Sequence, residues 1–369
     1  MAEPATRGIE DLIQKSVTMP NPQTKVSARM TLLNRLKDMF IRLLKYVTNP
    51  KNWKKGPKLW IAALIFLWAL NKFLREYGLT LFKKDLSKEH IFLTGAGSGI
   101  GRLMARRFGA MGSKLSLSDI NLEGVQETKQ ILIRDGVPEA NILVMHLDVT
   151  KRQQITETAR QAKEAFGFVT MLINNAGIVS GQTTLNLSDQ MIERTMAVNT
   201  TSHLHTIREF LPDMIANKRG HIVSIASMAG MAGIAGLTDY CASKWGAVAI
   251  DESLRGELKK NGHYGYVKTT CICPFFISTG MFEGAKNAFP MYILKPEEVV
   301  TRIIHAIRQE EAYVVIPWRG NIVFLTKCLP VSIVDRLSSV LGVNSTMDDF
   351  KGRGAMTNRI PGLKDHVVK

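Results

Sequence analysis

Gly95-Ala96-Gly97-Ser98-Gly99-Ile100-Gly101 is the stretch whose reading decides the fold of this chain. The apolar run His90-Ile91-Phe92-Leu93-Thr94 comes just before it and reads as a buried strand. Arg102 follows, opening a segment whose apolar residues recur at helical spacing. Strand, glycine turn and helix, in that order, make the setting that a dinucleotide pyrophosphate requires. Glycines let the main chain turn sharply and approach the phosphates, and the helix N-terminus offers N–H groups and a positive dipole end. The spacing of Gly95, Gly99 and Gly101 is the longer GxxxGxG form rather than GxGxxG.

Outward from this turn, short apolar runs alternate with longer helical patterns. Strands are expected at 91–94, 115–119, 142–147, 171–174, 221–226, 267–273 and 313–316. Helices are expected between them, among others at 122–134, 153–166, 189–217, 239–260 and 296–309. Such alternation predicts an α/β fold, a Rossmann-type doubly wound parallel sheet with helices on both faces. At 369 residues the chain is longer than one such domain needs, so extensions are expected. The expected organisation is an N-terminal extension over 1–88, the sheet domain over 89–316 and a C-terminal tail over 317–369.

The formal net charge is +16, and residues 1–90 hold 17 Lys/Arg against 7 Asp/Glu. Nucleic acid and an anionic membrane surface are the two partners such a field suits. Residues 1–30 are polar, with Pro20 and Pro22, and read as irregular. Residues 31–47 place Leu32, Leu36, Met39, Phe40, Leu43 and Val47 on one helical face, with Arg35, Lys37, Arg42 and Lys45 on the remaining arc. That pattern suits a helix lying in a membrane interface. Lys51, Lys54, Lys55 and Lys58 then lead into an uncharged run of 13 residues, 59–71. A simple span needs roughly 20. Trp53, Trp60 and Trp68 suit the headgroup level, so a membrane-anchoring extension is expected, with a buried core helix as the alternative. The basic arm lacks any nucleic-acid recognition module, and no nucleic-acid partner is expected. In the tail, 320–329 and 331–343 are apolar and read as a second membrane contact or a packing arm, and the polar end from Asn344 reads as irregular. The four cysteines show no metal-ligand spacing, and Cys271 and Cys273 read as buried free thiols.

The chemistry-bearing residues follow the glycine turn. Asp119 closes the second strand, where a carboxylate accepts hydrogen bonds from ribose hydroxyls and repels a 2′-phosphate. Ile120 rather than Arg comes next, and Ser98 is not basic, so NAD is the expected cofactor. Asp148, after the third strand, is placed to contact the adenine amino group or to cap a helix. Tyr240 and Lys244 stand four apart on one helical face. A free phenol titrates near pKa ~10, too high for a base at neutral pH. A neighbouring Lys⁺ and a positive nicotinamide favour the phenolate. Ser227, just past a strand, is placed to hydrogen-bond a substrate oxygen. The side-chain amide of Asn199 is placed to hold a water that links Lys244 to solvent.

At these residues the chain resembles the short-chain dehydrogenase/reductase family. The resemblance rests on residues 94–101, Asn174-Asn175-Ala176-Gly177, Asn199, Ser227, Tyr240 and Lys244, in the family's order, and covers about 60% of the chain. It implies Tyr240 as general acid/base, Ser227 as the orienter of the substrate oxygen, Lys244 on the nicotinamide ribose, and Asn199 in the proton relay. The implied cofactor-binding set is Gly95, Ser98, Gly99, Ile100, Gly101, Asp119, Asp148, Val149, Asn175, Ala176, Gly177, Tyr240, Lys244, Pro274, Ile277 and Thr279, with Asn174 and Gly177 supporting that face of the sheet. Pro274-Phe275-Phe276-Ile277-Ser278-Thr279 resembles the family's PGxxxT element, with Phe275 where glycine is usual. Several stretches, Asp239-Tyr240-Cys241-Ala242-Ser243-Lys244 among them, resemble the membrane-bound epidermal-type retinol dehydrogenases and the lipid-droplet 17β-hydroxysteroid dehydrogenases. The resemblance therefore implies NAD-dependent oxidation of a lipophilic alcohol, retinol first and a steroid second. It also implies a homodimer on the endoplasmic reticulum or lipid droplets, facing the cytosol. A surface protein that keeps the domain as a scaffold is the alternative. The apolar pocket is expected near Phe276, Met281, Phe282 and Phe289.

Overall fold

The structure is a computed structural model and describes residues 83–351. The expected amphipathic and membrane-anchoring segments at 31–82 lie outside the described residues. The compact unit that holds the described residues runs Phe82–Lys369.

Chain order is β1 (His90–Thr94), α1 (Gly99–Ala110), β2 (Lys114–Asp119), α2 (Leu122–Arg134), β3 (Ile142–His146), α3 (Arg152–Phe166) and β4 (Met171–Asn174). Then come α4 (Asp189–Met196), a π-helical turn (Ala197–Thr201), α5 (Ser202–Ala216), β5 (Gly220–Ile225), α6 (Thr238–Lys260), β6 (Val267–Pro274), α7 (Pro296–Arg308) and β7 (Tyr313–Ile316). Two short helices, α8 (Ile322–Thr326) and α9 (Val331–Val340), follow. The strands form one parallel sheet in the order β3-β2-β1-β4-β5-β6-β7.

Alternation along each strand sends its residues into two separate cores. Ile91 and Leu93 of β1 pack with Met104 and Phe108 of α1, Leu132 of α2 and Ile303 of α7. Phe92 points to the other face and joins Ile155 of α3, Phe210 and Met214 of α5 and Leu254 of α6. Its ring lies 4.7 Å from that of Phe210. Because both faces are covered, β1, β4 and β5 are buried at every residue. Phe92→Ala would cost about 3–5 kcal/mol in lost burial and cavity.

The strand order reverses between β1 and β4, and in open parallel sheets the crevice at such a switch point, beyond the strand C-termini, binds ligands. Three differences from the sequence reading stand out. The helix expected over 189–217 is interrupted by the π turn at Ala197–Thr201. Helix α9 has no buried residue, and no described helix is long and apolar enough to cross a membrane. Of the end expected to be irregular from Asn344, the described residues 344–351 fold back onto the domain, with Thr346 and Met347 buried.

Candidate active site

The glycine turn is built around contacts that exclude side chains. Gly95 has φ +68°, in the left-handed region. A Cβ on Gly101 would sit 2.0 Å from the Gly95 carbonyl oxygen, so α1 begins against the turn only because residue 101 has no side chain. Asn175, directly after β4, braces the turn: its Nδ2 donates to the carbonyl oxygens of Thr94, at 2.9 Å, and Gly95, at 3.0 Å. The Thr94 hydroxyl accepts from the main-chain N–H of both Asn175 and Ala176. Asn174 faces elsewhere, its Oδ1 accepting from Thr206 of α5 at 2.8 Å. The resemblance placed Asn174 on the cofactor face, but Asn175 does that bracing.

Asp119 sits at the C-terminal end of β2. Its Oδ2 accepts from the Gly97 N–H at 2.8 Å and its Oδ1 from the Asn121 N–H at 2.9 Å, which hold the carboxylate at the edge of the crevice. The cation nearest this turn, Arg102, donates to Gly97 O, Thr128 and Glu127. Asp148 caps its own turn by accepting from the N–H and hydroxyl of Thr150.

One continuous cavity gathers these groups. Every residue of the expected cofactor-binding set lines it, as does Ser227. Ile120, Arg194, Phe275, Met281 and Phe282 also line it. Arg194 on α4 was not singled out from the sequence, and only the folding of α4 over the crevice reveals it. Phe289 does not belong there: it is 75% exposed, and the expectation that it forms part of the apolar pocket is corrected. Phe275 is accommodated without a glycine, its N–H bonding Ile316 O and its ring lying 4.6 Å from that of Phe276.

Tyr240 and Lys244 lie in the first turns of α6, both buried. Lys244 Nζ donates to Ile225 O at 2.9 Å and lies 5.7 Å from the centre of the Tyr240 ring. Burial lowers its pKa to about 8. Ser227 caps the short turn after β5, its Oγ accepting from the Ala229 N–H at 3.1 Å. Burial pushes the Tyr240 phenol well above its usual value, and a hydrogen bond with Ser227 works against that shift. The lowering of this phenol expected from Lys244 is not seen in the protein alone, where desolvation dominates.

Asn199 makes contacts that the sequence reading does not foresee. Both amide hydrogens are engaged, Nδ2 donating to Ile178 O and to Ser243 Oγ, and Oδ1 accepts from the Ile178 N–H. The amide therefore ties the loop after β4 to α6. The π turn carrying Asn199 also lets Thr200 donate to Ser243 O at 2.7 Å. Beside this knot, Ser180 donates to Asp239 at 2.6 Å, a pair with no sequence signal.

The crevice fits a nicotinamide dinucleotide on its own geometry. A side-chain-free cradle stands at one end, a carboxylate at the β2 edge, and the Ser227–Tyr240–Lys244 cluster at the far end. Among the described residues, no cluster of His, Cys, Asp and Glu is suited to a metal ion.

Comparison with known proteins agrees with this geometry. Residues 89–288 match the short chain dehydrogenase family model. Epidermal retinol dehydrogenase 2 of Mus musculus is 41% identical over 278 residues, covering 74% of this chain and 89% of that protein. Estradiol 17-beta-dehydrogenase 11 of Rattus norvegicus is 36% identical over 284 residues, covering 76% and 92%. Among solved structures, a short-chain dehydrogenase/reductase from Burkholderia phymatum in complex with NAD matches with a TM-score of 0.60 at 26% identity, over 69% of this chain and 96% of that one. A metagenomic short-chain oxidoreductase in complex with NADP matches with a TM-score of 0.53 at 25% identity, over 63% and 96%. With its parallel sheet, glycine cradle and Ser–Tyr–Lys cluster, this chain belongs to the short-chain dehydrogenase/reductase family.

Proposed function

We propose that the protein is an NAD-dependent dehydrogenase that oxidises a lipophilic alcohol, all-trans-retinol first and a 17β-hydroxysteroid second. The observation that carries this reading is the convergence of Ser227, Tyr240 and Lys244 at one end of the glycine-lined crevice. Ser227 orients the alcohol oxygen, and Tyr240 takes the hydroxyl proton as the C–H bond breaks. Bound NAD⁺ supplies the hydride acceptor and a positive charge that favours the phenolate. Lys244, held on Ile225 O, adds positive charge beneath the ring, and Asn199 keeps the loop after β4 in register with α6. Each oxidation releases one proton from the alcohol hydroxyl, which leaves through Tyr240.

Asp119 supports NAD over NADP because a carboxylate at the β2 edge repels a 2′-phosphate. Arg102, paired to Glu127 at 2.6 Å, is already engaged. The apolar surface of Phe275, Met281 and Phe282 beside Tyr240 supports a lipophilic substrate. The two named relatives have retinol and estradiol in their names, which supports the same class. The test is NADH production by the full chain on a panel of retinol, estradiol and short alcohols. Turnover of retinol or estradiol with NAD⁺ is expected, and no turnover of any alcohol would leave the scaffold reading in its place.

The same reading places the protein on the endoplasmic reticulum or lipid droplets as a homodimer, the catalytic domain facing the cytosol. The basic amphipathic pattern at 31–47 and the uncharged run at 59–71 support membrane attachment. The exposed Trp318, Phe324, Leu325 and Val331 of the tail add apolar surface. Deleting residues 1–82 is expected to release the protein from membranes. A truncated protein that still pellets through an alkaline carbonate wash would shift the anchor to the tail.

A further inference from the structure

We infer that Met347 and Phe350, from the C-terminal segment, back the Tyr240–Phe282 wall of the substrate cavity and set the size of alcohol it accepts. This rests on the dehydrogenase reading and assigns it a specificity device outside the residues matching the family model, 89–288.

Three loops frame the reacting end of the crevice, and all three contribute to the apolar cluster that holds these two side chains. From the loop after β4, Val179 joins the cluster, and a Cβ on Gly181 would lie 1.9 Å from the Phe350 ring. Ile234 and Leu237 come from the loop before α6, where a Cβ on Gly236 would lie 3.3 Å from Met347 Cβ. The loop after β6 brings Phe276, Phe282 and Ala285. Tyr240 belongs to the same apolar cluster, its ring 5.7 Å from Phe282 and nearly perpendicular to it. The wall is therefore continuous with the phenol.

The segment is held by its main chain. Lys286 N–H donates to Thr346 O at 2.8 Å and Lys351 N–H to Glu283 O at 2.9 Å, one bond on either side of the two apolar residues. The Lys286–Asp349 ion pair, 2.7 Å, is largely exposed and adds little. Two main-chain bonds and a buried Met347 fix the wall's position, and its side chains fix its depth. A hydrophobic pocket discriminates roughly 10- to 200-fold per methylene-sized change. Removing most of a phenyl ring is therefore a large change of depth.

The test compares the full chain with its Phe350→Ala, Phe350→Leu and Met347→Ala variants. Each is assayed for kcat/KM with NAD⁺ on 2-butanol and all-trans-retinol, and for NADH and retinol binding by fluorescence. NADH affinity reports an intact cofactor crevice. Phe350→Ala is expected to raise the retinol-to-butanol ratio at least tenfold, Phe350→Leu by less, with NADH affinity unchanged. A ratio unchanged in both alanine variants, or a loss shared equally by both alcohols, overturns the wall. If the native chain oxidises neither alcohol, the dehydrogenase reading fails on its own. Retinol affinity then decides the wall: a rise in Phe350→Ala supports it, and no change overturns it.

Discussion

Gly101→Ala would strike the structure where it is least able to adapt. The added methyl group would lie 2.0 Å from Gly95 O, whereas ordinary contact begins near 3.4 Å. The obstacle is main chain, so the turn or the start of α1 must move by about 1.4 Å. That movement pulls Gly95 O away from Asn175 Nδ2, now at 3.0 Å, and leaves a partly buried carbonyl short of a donor, at about 1–3 kcal/mol. It also swings the N–H groups of the α1 N-terminus off the phosphate position, where hydrogen bonds to a charged group contribute about 1.5–3 kcal/mol. The first loss falls on stability and the second on binding. At 1.4 kcal/mol per tenfold, NADH affinity falls roughly 10- to 100-fold. Gly136→Ala is the control, since Gly136 has φ +88° with nothing within 4 Å of its added Cβ, so it strains the chain without touching the crevice. NADH titration followed by tryptophan fluorescence, beside a thermal melt, reads both effects. NADH affinity within twofold of the native protein in Gly101→Ala would refute the cradle.

Two further outcomes follow from named groups. Asp119→Ser with Ile120→Arg should move cofactor preference toward NADP, because it removes a repelling carboxylate and adds a cation at a half-exposed position lining the crevice; an unchanged NAD-to-NADP ratio of kcat/KM would place discrimination elsewhere. Acidification should destabilise the protein between pH 6.5 and 4. Burial lowers the pKa of His90 to about 4, of His203 to about 3, and of His221 well below 6.5, so the unfolded chain takes up protons first as pH falls. Each histidine withdraws up to about 1.4 kcal/mol per pH unit in that window. Asp251, raised by burial to about 7, acts in the opposite sense and offsets one of the three. Melts at pH 7, 6 and 5 should show a steadily falling midpoint; a flat profile would contradict the buried neutral imidazoles.

The sheet was legible because both of its faces are covered. Short apolar-rich runs flanked by helical periodicity marked all seven strands, and the expected 171–174 and 313–316 coincide with Met171–Asn174 and Tyr313–Ile316. The partners that let the polar His90 be buried in β1, Ser116, Gly167 and Phe168, carry no sequence signal. Periodicity carried the helix over 189–217 straight through Ala197–Thr201, since a π turn keeps helical spacing while long-range bonds from Asn199 and Thr200 distort it. The cofactor crevice was legible because its glycines and its Asp119 lie at the ends of consecutive strands. The placement of Phe350 was not, because it depends on a chain reversal that brings residue 350 against Gly181 and carries no local signature. Tyr240 shows a related limit: spacing put a lysine four residues away, but only the fold shows how deeply the phenol is buried.

The most direct test of the account is Tyr240→Phe, which keeps the ring in its cluster with Phe276 and Phe282 and removes only the hydroxyl. Single-turnover NADH formation with retinol and NAD⁺ is to be measured beside NADH affinity. Loss of a positioned acid/base group costs about 10²- to 10⁴-fold in rate. The account predicts a fall of at least a hundredfold with NADH affinity within twofold of native; a rate within tenfold of the native protein would contradict Tyr240 as the group that moves the proton.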